Sequence, residues 1–273
     1  EEGMPLDTNI YSPNQVATKY PVASGPASCG GVWCPSNASK AMTGNQTMWS
    51  GFGKSVNTFF AQLIQRVGAD KAVKMAERLG LKWRSESDAY YADPKRSEGW
   101  GAFTLGVADT TPLEMAGAYA TVAADGVYCE PTPVLKAIDQ KGREMTKTAP
   151  DCHRVVSKKV ARAATDAARC VTGTKAARGS CGGWSTASGV AGDVGRQVAG
   201  KTGTTDSDRA AWFVGYTPQL AAASFMSDPD NPFNAVGEGN SKKPINLVAS
   251  TLKSGLKGEP KVKFKPPPKS VVS

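Results

Sequence analysis

Histidine is nearly absent: His153 is the one imidazole in 273 residues. That excludes a multi-histidine zinc centre and disfavours a Ser-His-Asp hydrolase, whose base must stand in one particular place. Long apolar runs are missing too, and no stretch approaches the ~18 residues that a bilayer-spanning helix needs. There is no Cys-x-x-Cys pair, so the six cysteines do not read as zinc ligands. Neither an initiator methionine nor a signal peptide stands at Glu1-Glu2-Gly3, and the chain is expected to be a piece of a longer one.

What is present is globular. Hydrophobic residues make up 40% and charged residues 21%, which excludes wholesale disorder, and the length allows one or two domains with a sizeable core. Glycine (29) and proline (18) are abundant enough to predict long loops. The net charge of +9 raises the question of a polyanionic partner, but residues 257–273 (KGEPKVKFKPPPKSVVS) alone hold +4 of it. That distribution argues against nucleic acid. The tail is expected to be extended and solvated, either passive or in touch with anionic lipid or wall polymer.

The cysteines, Cys29, Cys34, Cys129, Cys152, Cys170 and Cys181, are even in number and closely spaced in pairs. Of fifteen possible connectivities the sequential one is favoured: 29 with 34, 129 with 152, and 170 with 181. Such a framework belongs to an oxidising, extracytoplasmic compartment.

Residues 1–50 read as loops with a few short strands. From Ser55 the pattern predicts a helix with Phe59, Phe60, Leu63, Ile64 and Val67 on one stripe, stopped by Gly68. Asp70 is expected to cap a second helix ending at Gly80, and 81–103 to form an irregular loop. Thr111-Pro112-Leu113-Glu114 specifies a helix start by N-cap, proline at N1 and capping-box glutamate, with Gly126 as the stop. A strand at 134–138 turning at Gly142, a helix capped by Ser157, and a long Gly/Ser/Thr loop at 172–197 follow. Strands at 198–205, 211–216 and 220–226 are joined so tightly that they must be antiparallel, and a helix over 245–256 completes an α+β fold, an antiparallel sheet flanked by helices.

Two short motifs carry chemistry. Ser55-Val56-Asn57 offers a hydroxyl and an amide, and Lys201-Thr202-Gly203-Thr204 a lysine, two hydroxyls and a bare backbone. A hydroxyl nucleophile needs a base, which a desolvated lysine supplies when burial lowers its pKa; a second serine can relay the proton. Each motif alone has a plain reading, a helix cap for the first and a strand end before a turn for the second. In this order and followed by strand, turn, strand, they are paired motifs of acyl-serine enzymes. Alternation sends Lys201 and Gly203 to one face and Thr202 and Thr204 to the other. All four can serve one site only on an edge strand beside which a peptide lies as an added strand.

Residues 4–13 (MPLDTNIYSP), 54–68 (KSVNTFFAQLIQRVG), 111–125 (TPLEMAGAYATVAAD) and 199–218 (AGKTGTTDSDRAAWFVGYTP) together resemble the transpeptidase domain of penicillin-binding proteins, most of all the bifunctional class A type of actinobacteria. The resemblance implies a fold of the penicillin-binding protein transpeptidase and serine β-lactamase kind, with residues 1–256 as an N-terminally incomplete transpeptidase domain and 257–273 as a basic tail. It implies that Ser55 shuttles a proton, Asn57 holds the substrate's carbonyl or side chain, and Lys201 bonds Ser55 and keeps the site positive. Thr202 and Thr204 would bind the terminal carboxylate of the donor stem peptide, Gly203 would allow its close approach, and the Thr204 N–H would be one oxyanion-hole donor. Peptidoglycan stem peptides and β-lactams are the implied ligands, with no metal or organic cofactor. The implied parent carries an upstream glycosyltransferase domain and a membrane anchor, and works outside the cytoplasm.

One family motif does not fit. The acylating Ser-x-x-Lys belongs before Ser55, and residues 1–54 contain none. The two matches, Ser250-Thr251-Leu252-Lys253 and Ser254-Gly255-Leu256-Lys257, fall after Lys-Thr-Gly and read as solvated helix residues. The nucleophile is therefore expected upstream of residue 1. A catalytically inactive module that binds wall peptide, and a D,D-carboxypeptidase in which water takes the acyl group, remain the alternatives.

Overall fold

The Gly/Pro/Ser content of the first half keeps its elements short, and regular pairing gathers in the last third. The computed structural model describes residues 1–273 apart from 135, 146–149 and 238. The chain opens with β1 (Ile10–Ser12), a hairpin of β2 (Ser28–Cys29) and β3 (Val32–Trp33), and β4 (Gly44–Gln46), which returns to pair antiparallel with β1. Helices α1 (Met48–Lys54), α2 (Asn57–Val67), α3 (Ala69–Arg78) and α4 (Glu86–Ala92) follow. Next come α5 (Pro112–Ala123), the hairpin β5 (Val127–Cys129) and β6 (Cys152–Arg154), α6 (Lys158–Arg169) and α7 (Val190–Val194). The chain then runs through β7 (Ala199–Thr204), β8 (Ala210–Tyr216) and β9 (Ala221–Ser227) to α8 (Lys242–Gly255).

Strands β7, β8 and β9 form one antiparallel sheet in that order, so β7 is an edge. Period-two alternation gives the sheet two apolar faces. One buries Phe213 against Val248, Ala249 and Leu252 of α8 and Val190 and Val194 of α7. The other buries Ala199 and Tyr216 against Ala168 of α6 and Tyr119, Val122 and Ala123 of α5. Burying side chains the size of Phe213 and Leu252 contributes about 2–3 kcal/mol each. This is the expected α+β arrangement, and all three expected disulfides, Cys29–Cys34, Cys129–Cys152 and Cys170–Cys181, are formed.

Several local expectations need correction. Residues 48–50, read as loop, belong to helix α1, and Ser55 ends that helix instead of starting the next. Gly68, not Asp70, is the N-cap of α3; Asp70 sits in its first turn, where a carboxylate still favours the N-terminus. The 81–103 segment contains α4, capped by Ser85 accepting from the Asp88 N–H at 3.1 Å. Residues 134–138 form no strand among the described residues; a lone bridge joins Ile138 to Glu144, and residue 135 lies outside the description. The 172–197 loop holds α7.

The tail is extended, but it lies against the body. Arg196 donates to the carbonyls of Leu256, Glu259 and Pro260 at 2.8–2.9 Å, and the Phe264 N–H to Gln197 Oε1 at 3.0 Å. The Phe264 ring is buried against Tyr216. At the far end the N–H groups of Leu6 and Asp7 donate to the carbonyls of Val271 and Val272, both at 3.0 Å. Charge repulsion among the lysines is outweighed because their heads stay in water while carbonyls and one aromatic ring anchor the backbone.

Candidate active site

Helix α1 is built to deliver Ser55. Thr47 and Ser50 form a capping box at its start. At its end the Val56 N–H donates to the Gly51 carbonyl and the Ser55 N–H to the Phe52 carbonyl, a Schellman turn. The left-handed position of that turn is occupied by Ser55 at φ 58°, ψ 51°, where glycine is usual, at a cost of about 1 kcal/mol. Two glycines let the helix sit close to its neighbours. A Cβ at Gly51 would lie 2.7 Å from the Phe59 ring, and one at Gly53 2.9 Å from Cys170 Cβ.

The turn aims Ser55 at the edge strand. Lys201 Nζ donates to Ser55 Oγ at 2.7 Å, across 146 residues of sequence, and to the Thr202 carbonyl at 2.7 Å. Lys201 is half-buried, its ammonium 5.9 Å from the centre of the Phe52 ring. Desolvation pushes its pKa down to about 8. An ammonium donating to Ser55 Oγ leaves the serine's own proton free to point into the cleft.

The remaining motif residues line the same edge. Thr202 bonds Thr186 through their hydroxyls at 2.9 Å. Gly203 is backed by Trp212, whose Cβ is 3.1 Å from where a Gly203 Cβ would stand, and Trp212 stacks on Phe225 at 4.8 Å. The Thr205 N–H donates inward to the Ala210 carbonyl at 3.0 Å, so ladder alternation turns the N–H groups of Thr204 and Thr202 toward the open edge. The Asn57 amide donates to the Ser36 carbonyl at 2.8 Å, which leaves its second N–H as a donor and its Oδ1 as an acceptor. Ser250, Lys253, Ser254 and Lys257 are all exposed, as expected for solvated residues.

Three supporting residues lay outside the sequence reading. Phe52 walls the Lys201 ammonium. Thr186 bonds Thr202, and its N–H donates to the Gly53 carbonyl at 3.2 Å, bridging β7 and α1. Asp166, 1% exposed, accepts from Trp49 Nε1 at 2.9 Å and from the N–H groups of Ala177 and Arg178 at 2.6 and 3.2 Å, tying α1 to the disulfide-closed loop. The unusual length of the 172–197 loop was the available signal for Thr186. Among the described residues no group of three or more His, Cys, Asp or Glu side chains could hold a metal ion.

Comparison with known proteins identifies the family and the fold. The family described as "Penicillin binding protein transpeptidase domain" matches residues 3–247. Penicillin-binding protein 1A of Aquifex aeolicus is 27% identical over 240 residues, covering 88% of this chain and 30% of that protein. Among solved structures, penicillin-binding protein 1A from Haemophilus influenzae has a TM-score of 0.78 at 23% identity, over 99% of this chain and 43% of that one. PonA1 of Mycobacterium tuberculosis in complex with penicillin V has a TM-score of 0.71 at 22% identity, over 98% of this chain and 68% of that one. The chain thus spans about 30% of the length of the Aquifex relative. By fold, by family match and by its relatives, it belongs to the penicillin-binding protein transpeptidase domain family, of the class A type.

Proposed function

We propose that this chain is the transpeptidase domain of a peptidoglycan D,D-transpeptidase that works through a serine acyl-enzyme. The observation that carries the reading is the 2.7 Å bond between Lys201 Nζ and Ser55 Oγ beside an open strand edge. The acylating serine and its lysine base come from a Ser-x-x-Lys preceding Glu1. That serine's Oγ attacks the carbonyl carbon of the penultimate D-alanine, the C–N bond to the terminal D-alanine breaks, and the departing amine takes a proton relayed by Ser55. An acceptor amine then attacks the ester carbonyl, and the serine oxygen recovers a proton as the cross-link forms.

Placement supports the remaining roles. Lys201 holds positive charge beside Ser55. Thr204, with its N–H at the open edge, serves the oxyanion, and the hydroxyls of Thr202 and Thr204 take the donor's terminal carboxylate. Gly203 leaves the strand bare for the donor to lie along. Asn57, with one amide hydrogen still to donate, holds the donor's carbonyl or side chain. The disulfides support an extracytoplasmic setting, and the class A relatives support a parent with a glycosyltransferase domain and a membrane anchor.

A fluorescent penicillin tests the assignment. It is expected to label the parent covalently and to leave residues 1–273 unlabelled; covalent labelling of this chain would show that the nucleophile is misplaced. Exposing the acylated parent to amine and to water separates cross-linking from D,D-carboxypeptidase action. A parent that never acylates is the inactive wall-peptide module.

A further inference from the structure

The basic tail lies along one side of a groove far from the Ser55–Lys201 pair in sequence. The C-terminal turn of α5 with Asp125, Arg162 and Thr165 of α6, Pro218, and tail residues 262–265 enclose about 260 Å³. Cations crowd it. Arg162 clamps the Asp125 carboxylate with two bonds of 2.9 and 2.7 Å, and Arg154 donates to the Asp125 carbonyl. Lys158 and Lys265 both lie near enough to help hold the Asp125 carboxyl below its usual range, after Arg162 as the main cause. Lys263 and Lys265 line the groove and are exposed. The single carboxylate lining it is held by Arg162, which leaves Lys263 and Lys265 as lining cations with no carboxylate opposite them.

The tail is also ordered where it matters. Phe264 is buried between Lys263 and Lys265, both exposed, and two residues of extended backbone span ~7 Å. Arg196 and Gln197 hold the backbone on one flank, and Arg178, donating to the Pro267 carbonyl at 3.2 Å, on the other. The lysines thus stand pre-positioned, which lowers the ordering cost of binding. The floor between the charges is apolar: Val122, Ala123, Pro218 and Phe264.

We propose that this groove binds a linear polymer of phosphodiesters joined by short carbon units, with phosphates on Lys263, Lys265 and the α6 cations and the carbon units over the apolar floor. The several positive charges exceed what one carboxylate would need, and two-residue spacing along the tail suits repeated anions. The site is independent of the transpeptidase reading.

Fluorescein-labelled oligo(glycerol phosphate), titrated with the full chain at several salt concentrations, tests it. Lys263→Gln/Lys265→Gln is expected to weaken binding on the order of tenfold at low salt and to flatten the slope of log K against log salt by about 1 to 1.5, while melting stays unchanged. The equal charge change Lys242→Gln/Lys253→Gln, on α8 across the sheet, is expected to alter affinity no more than about twofold. Equal weakening by both pairs, or no binding at low salt, overturns the proposal. So does tighter binding to anionic-lipid vesicles than to the polymer with the same dependence on Lys263 and Lys265, which would make the groove a membrane contact.

Discussion

Replacing Lys201 by methionine isolates the energetic consequence of the buried ammonium. Folding moves this lysine from its ordinary 10.5 to about 8, through desolvation. Between those values the unfolded chain binds more protons than the folded one, so Lys201 makes stability rise with pH across that window and weighs most against the fold below pH 8. The full difference corresponds to about 3 kcal/mol, and solvent reaching the half-buried side chain trims it to about 1–2 kcal/mol. Urea unfolding of wild type and Lys201→Met, with disulfides intact, between about pH 6.5 and 10.5 measures it. The stability of the variant relative to wild type is expected to fall by about 1–2 kcal/mol as pH rises through the window. The absolute offset also contains the lost bonds to Ser55 and the Thr202 carbonyl, so only the pH dependence is diagnostic. A difference that stays flat with pH would show that the ammonium is not desolvated, and the reading of Lys201 as a buried, poised cation would fail with it.

Opening the Cys170–Cys181 loop with Cys170→Ala/Cys181→Ala releases an 11-residue constraint and is expected to lower stability by about 3 kcal/mol, read by urea midpoint; a loss under about 1 kcal/mol would mean the loop is held by its other contacts. Asp166→Ala leaves Trp49 Nε1, two backbone N–H groups and the buried Arg169 without their acceptor, and is expected to remove about 3–5 kcal/mol. A circular-dichroism melt unchanged by that substitution would remove Asp166 as the tie between α1 and the loop.

Local rules suffice where the chain obeys them. Thr111, Pro112 and Glu114 mark α5 to the residue, because a capping box and an N1 proline act within four positions. The β7–β8–β9 sheet is readable from alternation and tight turns, whereas the edge position of Lys201 and Thr204 enters from the sequence only as a condition for their sharing one site. Helix α1 is hidden because Gly51 and Gly53, poor helix formers, are there for Phe59 and Cys170, partners that a local window does not contain. Ser55 looks like a cap because its left-handed backbone is imposed by the turn and not by its own preference. The ordered tail is hidden for the same reason: Arg196 and Gln197, some sixty residues earlier, supply its anchors. Among the motif residues, Lys201 and Ser55 meet as their chemistry requires, whereas the bond from Asn57 to Ser36 depends on how the loop before α1 packs.

The clasp between Leu6–Asp7 and Val271–Val272 has a mechanical consequence. Both of its hydrogen bonds run from the turn before β1 to the 3-10 turn at the end of the tail, and Val271 and Val272 pack with Leu6 and Trp49. Tension applied between Leu6 and Val272 is therefore borne first by this pair of bonds and a small apolar contact, which yield together in one step. The β7–β8–β9 ladder and the Ser55–Lys201 bond share no hydrogen bond with the clasp, so unfastening it breaks neither.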